Sequence, residues 1–235
     1  MKSTIKEIEE RFDQDVDRFS NLETGQQTTL DAKFNMELIT EAIARRYPNL
    51  KSVLDVGCGA GNYPVKLLQK VSSVDVTLVD LSQPMLDRAM ERIQGVTKGT
   101  VTTRKGDFRT LQLTENSYDV IIATAVLHHL RDEQDWQQAF QKLYGLLKNG
   151  GSIWIFDLVY QRDGQLQEYV YDHLYGEYLT ALKDEVYRDH VFAYIEKEDT
   201  PRDLIYQLDL LRKVGFKHVD VLHKHLCFAS FVGFK

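Results

Sequence analysis

Cysteine is nearly missing from this chain: there are two in 235 residues, Cys58 and Cys227. Two thiols so far apart build neither a disulfide framework nor a cysteine-rich zinc site. Also missing are an apolar run of about 18 residues and a charged-then-apolar leader, which argues against a membrane span and a secretory signal and sets the expectation of a cytoplasmic protein. Basic residues are in deficit, 29 Lys and Arg against 35 Asp and Glu, for a net charge of −6. A broad nucleic-acid footprint is therefore not expected, although Arg45, Arg46 and Lys51 leave room for a local basic patch. No internal repeat or low-complexity tract stands out. What is present, 43% hydrophobic residues, is enough for one α/β core with an inserted segment, in preference to two domains.

The most informative segment is VLDVGCGAGN, Val53 to Asn62. Val53, Leu54 and Val56 read as a short buried parallel strand, and Gly57, Gly59 and Gly61 let the backbone turn where side chains would meet a ligand. A dinucleotide loop would read G-x-G-x-x-G/A; here the spacing is G-x-G-x-G, with Asn62 in the last small position and an acid, Asp55, ahead of the first glycine. Asp55 suits the ammonium of a methionine moiety, held directly or through water, and would repel a pyrophosphate. The loop therefore points to S-adenosylmethionine (SAM) rather than NAD.

The following strands extend the pattern. VTLVD ends on Asp80, 19 residues beyond Gly61, about where a βαβ unit sets a carboxylate against ribose hydroxyls; its alternative is the cap of the next helix, for which Ser82 and Pro84 already serve. After VTTRKG, Asp107 and Phe108 offer an acceptor for an adenine amino group and an apolar wall. YDVIIATAVLHHL supplies a fourth buried strand opening into a loop at Thr124, beside the expected cofactor.

From about Lys51 to Asp157 the chain resembles the class I SAM-dependent methyltransferases. The resemblance carries the family's glycine loop onto Asp55, Gly57, Cys58, Gly59 and Gly61, its ribose acid onto Asp80, its adenine pair onto Asp107 and Phe108, and its position after the fourth strand onto Thr124; Leu81 and Met85 match residues that flank the adenosine. It implies a Rossmann-like, doubly wound seven-stranded sheet in the order 3-2-1-4-5-7-6 with the last strand antiparallel. It also implies SAM as cofactor, with S-adenosylhomocysteine as product. The run GLLKNGGSIWIFD resembles the family's helix end, glycine turn and fifth strand, and Asn149 with Gly150 is expected to stop that helix.

Around this centre, periodicity sets expectations of a different kind. Residues 1–31 carry one helical stripe, Ile5, Ile8, Phe12, Val16 and Phe19, and read as an arm that either covers the active site or docks for stability. A helix from about Leu30 to Tyr47 is expected to turn Phe34 toward the cofactor, and the remainder, 32–235, is read as the methyltransferase domain. The stretch 159–199 is too long for a loop and holds Tyr160, Tyr169, Tyr171, Tyr175, Tyr178, Tyr187, Phe192 and Tyr194. It is expected to form a helical cap walling a substrate pocket, the alternative being a homodimer interface.

A positioned acceptor is the main requirement for attack on a sulfonium methyl, and a base helps when the acceptor carries a proton. His128 and His129, just past the fourth strand, are the candidate catalytic groups, with helix-start packing as their plainer reading. His223 and His225 alternate on a late strand without a cysteine or carboxylate at metal spacing, so no metal is assigned. With no Asn-Pro-Pro-Tyr-like motif after the fourth strand, the expected partner is a small-molecule acceptor with an O, N or C acceptor atom. Phe34-Asn35, LLRKVGF and CFASFVGFK also resemble enzymes that make carboxylated SAM for tRNA wobble-uridine modification. That family's carboxylate-reading arginine falls here on Leu210, and Arg212, two residues on, points elsewhere. A carboxy-SAM synthase-like enzyme and a SAM-binding protein without catalysis remain the alternatives.

Overall fold

The structure, a computed structural model, describes residues 2–21 and 26–235. Residues 22–25, within the 1–31 arm, lie outside the described residues. In chain order the elements are α1 (Ile5–Gln14), α2 (Val16–Ser20), α3 (Ala32–Arg46), β1 (Ser52–Val56), α4 (Asn62–Leu68), β2 (Asp75–Asp80), α5 (Gln83–Ile93), β3 (Val101–Lys105) and β4 (Tyr118–Thr124). A 3-10 turn, Leu127–His129, leads to α6 (Glu133–Leu146) and β5 (Leu147–Leu158). The insertion follows as α7 (Gly164–Gln167), a π-helical turn (Glu168–Tyr175), α8 (Gly176–Leu182) and α9 (Glu185–Glu198); α10 (Leu204–Val214), β6 (His218–His225) and β7 (Phe228–Phe234) complete the chain.

The seven strands form one sheet in the order β3-β2-β1-β4-β5-β7-β6, with β7 antiparallel to both neighbours and the rest parallel. This is the doubly wound order expected, and its strand ends gather at one edge, where such sheets bind ligands. Period-two alternation divides the core: Val120 and Ile122 of β4 face α3, α4 and α5, while Ile121 and Ala123 face Trp136 and Phe140 of α6 and Leu211 of α10. No helix among the described residues is long and apolar enough to cross a membrane. Helix α6 ends at Leu146, before Asn149 and Gly150, because Leu147 already pairs with Tyr118 of β4; Gly150, at φ +79°, makes the turn inside the β5 segment instead.

The arm is two helices broken at Asp15, and polar contacts pin it over the strand ends. Ser82 Oγ donates to Asp13 at 2.6 Å, Asn62 Nδ2 donates to the Phe19 carbonyl at 2.8 Å, and Lys105 pairs with Glu9 at 2.7 Å. The insertion behaves otherwise than expected. Tyr175 is fully buried, its ring 5.7 Å from that of Phe228, with Phe192 and Tyr171 packed alongside, so these aromatics extend the core on the α3 face.

Candidate active site

At the ends of β1, β2 and β4 the structure opens into two adjoining cavities of about 250 and 110 Å³. They share a wall made by Ile8, Gly57, Asp80, Leu81, Val126 and His129. Gly57 belongs there because of its backbone: φ is +66°, and a Cβ would stand 2.6 Å from Val126 Cγ2. The larger cavity continues to Asp107 and Phe108, the smaller to Cys58, Gly59, Met85 and Thr124. An open hollow of about 530 Å³ beside Gln137 and Gln141 of α6 lies away from the strand ends and gathers none of these groups.

The expected cofactor residues thus converge, with qualifications. Asp80 accepts from Gly59 N at 2.8 Å and Ser82 N at 2.9 Å, so the loop and the next helix are both anchored on the carboxylate that is to meet the ribose. Burial raises its pKa against those bonds. Asp55 lies beneath the loop, buried, with Oδ1 lacking a protein partner, and burial followed by the Asp80 charge pushes its pKa well up. The buried hydroxyl of Tyr63 also lacks a partner. An ammonium group satisfies such an acceptor pair, so the site fits the methionine end of SAM. Gly61 caps α4 rather than lining a cavity. Asp107 is held by Arg109 through bonds of 2.6 to 3.0 Å, and Arg109 reaches Asp135 as well, so its carboxylate is engaged before any adenine arrives.

Phe34 is not with them. It is 54% exposed, its ring edge on against His223, because α3 turns Asn35, Met36, Ile39 and Ile43 to the core and leaves position 34 outside. Nor does any residue of 159–198 line either cavity; the wall expected from the tyrosines comes from Ile8, Phe12 and Phe19 of the arm.

His128 and His129 stand side by side, ring centroids 4.3 Å apart. His128 Nδ1 hydrogen-bonds Asp157, which also accepts from Leu127 N at 2.7 Å, Val126 N at 3.3 Å and Leu158 N at 2.7 Å. His129 Nδ1 is 3.1 Å from Asp199 Oδ1. Burial lowers the His128 pKa, but Asp157 and Asp199 outweigh it and hold the ring at about 9; burial and then the charge of His128 push His129 down. Asp157 and Asp199 are residues that sequence reasoning missed. Asp157 had a signal, since like Asp80 it is an acid near the end of a buried strand. His223 and His225 do have a carboxylate partner, Asp31, 2.8 Å from each, which corrects the expectation that none is near.

A doubly wound sheet with a glycine loop, a strand-end acid and adjoining cavities fits an enzyme of the adenosyl-cofactor class. Residues 53–151 match the family model described as a methyltransferase domain. The chain is 25% identical over 212 residues to the carboxy-S-adenosyl-L-methionine synthase of Campylobacter lari, covering 86% of this chain and 84% of that one. It is 32% identical over 124 residues to an uncharacterized methyltransferase of Anoxybacillus flavithermus, 53% of this chain and 54% of the relative. Human N-acetylserotonin methyltransferase, solved with SAM, shares the fold at a TM-score of 0.57 and 18% identity, over 86% of this chain and 52% of that one. The chain spans about half the length of several solved structures it matches. Over residues 53–151 the chain is similar to a methyltransferase domain, and its fold is that of solved SAM-dependent methyltransferases.

The unpartnered Asp55 carries a test of its own. Its raised pKa means that its ionisation opposes folding: the stability present below the unfolded value near 3.8 is lost as pH rises through the folded one. Asp55→Asn should therefore flatten that decline, so that the SAM-free variant gains stability relative to wild type as pH is raised from about 5 to about 8. Urea midpoints at the two pH values check it, and SAM affinity should fall about tenfold or more in the same variant.

Proposed function

We propose that the protein transfers the methyl group of SAM to a small-molecule acceptor by direct in-line displacement. The observation that supports this most is the shared wall: His129, backed by Asp199, borders both cavities beside Val126 and beneath Phe12. Bound there, SAM supplies an electrophilic methyl group. The protein's part is to hold the acceptor in line behind it, to exclude water with Ile8, Phe12 and Phe19, and to handle an acceptor proton at the His129 ring.

The carboxy-SAM synthase relatives supply a second reading. Against it stands Leu210, 4% exposed in the core beneath α10, while Arg212 pairs with Asp209 at the surface at 2.9 Å. Arg109 and Arg131 do border the larger cavity, but Arg109 is held by Asp107 and Asp135, and Arg131 by backbone carbonyls of Glu198 and Ser3. No arginine at the α10 position therefore meets an added carboxylate.

Calorimetry tests the common ground: SAM and S-adenosylhomocysteine should bind near micromolar, about −8 kcal/mol. Asp80→Ala should cost about 1.5–3 kcal/mol of that affinity, because two ribose hydroxyls lose a charged acceptor. Unchanged binding would remove Asp80 from the site. Incubation with SAM and prephenate, followed by mass spectrometry, separates the two readings, since only a synthase forms carboxylated SAM.

A further inference from the structure

We propose that His128, His129 and Asp199 form a site for one divalent transition-metal ion, beside the cavities, and that the acceptor is a molecule offering an anionic oxygen to that ion. The acceptor class rests on the methyl-transfer reading; the ion does not.

Three donor atoms, His128 Nε2, His129 Nδ1 and Asp199 Oδ1, lie within 4.8 Å of one another. Bonds of about 2.1 Å meeting at roughly 90–120° set ligand atoms about 3.0–3.6 Å apart. Asp199 Oδ1 is 3.1 Å from one ring nitrogen and 3.7 Å from the other, close to that span. His129 Nδ1 and Asp199 Oδ1 are both buried and face each other at 3.1 Å with no other hydrogen-bond partner, Asp199 being only 5% exposed. A cation between them satisfies both. Asp157 already holds His128 Nδ1, which leaves Nε2 for the ion and fixes the ring, as carboxylates behind metal-bound histidines do.

Two imidazoles and one carboxylate suit zinc, cobalt, manganese or ferrous iron better than magnesium or calcium. His129 borders both cavities, which sets an ion on its Nδ1 one ring's width from the ligand space. A phenolate, enolate or carboxylate oxygen matches such an ion. With the ion on Nδ1 the His129 ring is no longer the base, and the cation raises the acceptor's acidity in its place, the proton passing to water. The other such cluster, Asp31 with His223 and His225, has hydrogen-bond separations of 2.8 Å on a partly exposed edge and reads as a clasp between α3 and β6.

The full chain, stripped with a chelator and titrated with Co²⁺, gives the test through visible absorption and calorimetry. One equivalent should bind with d–d bands, Asp199→Asn and His129→Gln should each weaken binding at least about tenfold, and His225→Gln should leave it unchanged. Circular dichroism and urea midpoints in each variant report that the fold is intact, and SAM binding is read on the unsubstituted chain. A chain that binds SAM but takes up no stoichiometric Co²⁺ overturns the metal site and leaves the methyl-transfer reading standing. Binding that survives Asp199→Asn and disappears with His225→Gln moves the ion to the clasp and overturns the site as well. Co²⁺ uptake by a chain that does not bind SAM supports the site and removes the methyl-transfer reading.

Discussion

Replacing Asp157 with Ala should cost about 3–5 kcal/mol of folding stability, because it removes the acceptor of a buried ionic cluster and leaves the partners in place. The Asp157 side chain is completely enclosed, and four donors converge on it: the amides of Val126, Leu127 and Leu158, and His128 Nδ1. Without it the 3-10 turn after β4 loses its anchor, and His128 is left facing Asp199 alone. Denaturant unfolding reads the loss. Asp157→Asn keeps an acceptor oxygen for the amides and should lose less, while still disturbing the His128 ring. An Ala variant within about 1 kcal/mol of wild type would show that the turn stands without this carboxylate.

Tyr175→Ala should be comparably costly, about 3–5 kcal/mol, for a different reason. The ring is 0% exposed between Phe228, Phe192 and Tyr171, and its hydroxyl donates to the Thr28 carbonyl at 2.7 Å. The substitution opens a large cavity where the insertion meets the sheet. Tyr175→Phe, which loses only the hydrogen bond, should cost about 1 kcal/mol. The same packing makes the insertion part of the folded core. Excising residues 161–198 should unfold the protein and abolish cofactor binding, although every cofactor motif comes earlier, and SAM calorimetry on such a chain distinguishes the outcomes.

The centre of this fold was legible because its signals are local. Asp55 through Gly61 hold strand, turn and acid within seven residues, and Asp80 follows at the spacing one helix imposes. Strand order was legible through resemblance. What escaped is assembled across long separations: Asp199 reaches His129 only after the insertion returns, and Asp31 meets His223 across 192 positions. The tyrosines misled because a pocket wall and a core extension call for the same residues; which one forms depends on whether Phe228 and Phe192 stand opposite. Phe34 misled because a helical stripe fixes which residues share a face and leaves open what that face meets.

If SAM is held as proposed, with its ammonium beside Asp55, cofactor uptake is tied to the solvent's proton activity. A carboxyl sealed under the glycine loop, its charge disfavoured by burial and by Asp80, retains a proton more readily than an exposed one. A cationic ammonium arriving beside it makes the ionised form the better one, so the protein exchanges that proton for its ligand. Apparent affinity then follows pH without any change of shape, and the heat of association includes a contribution from whichever buffer accepts the proton.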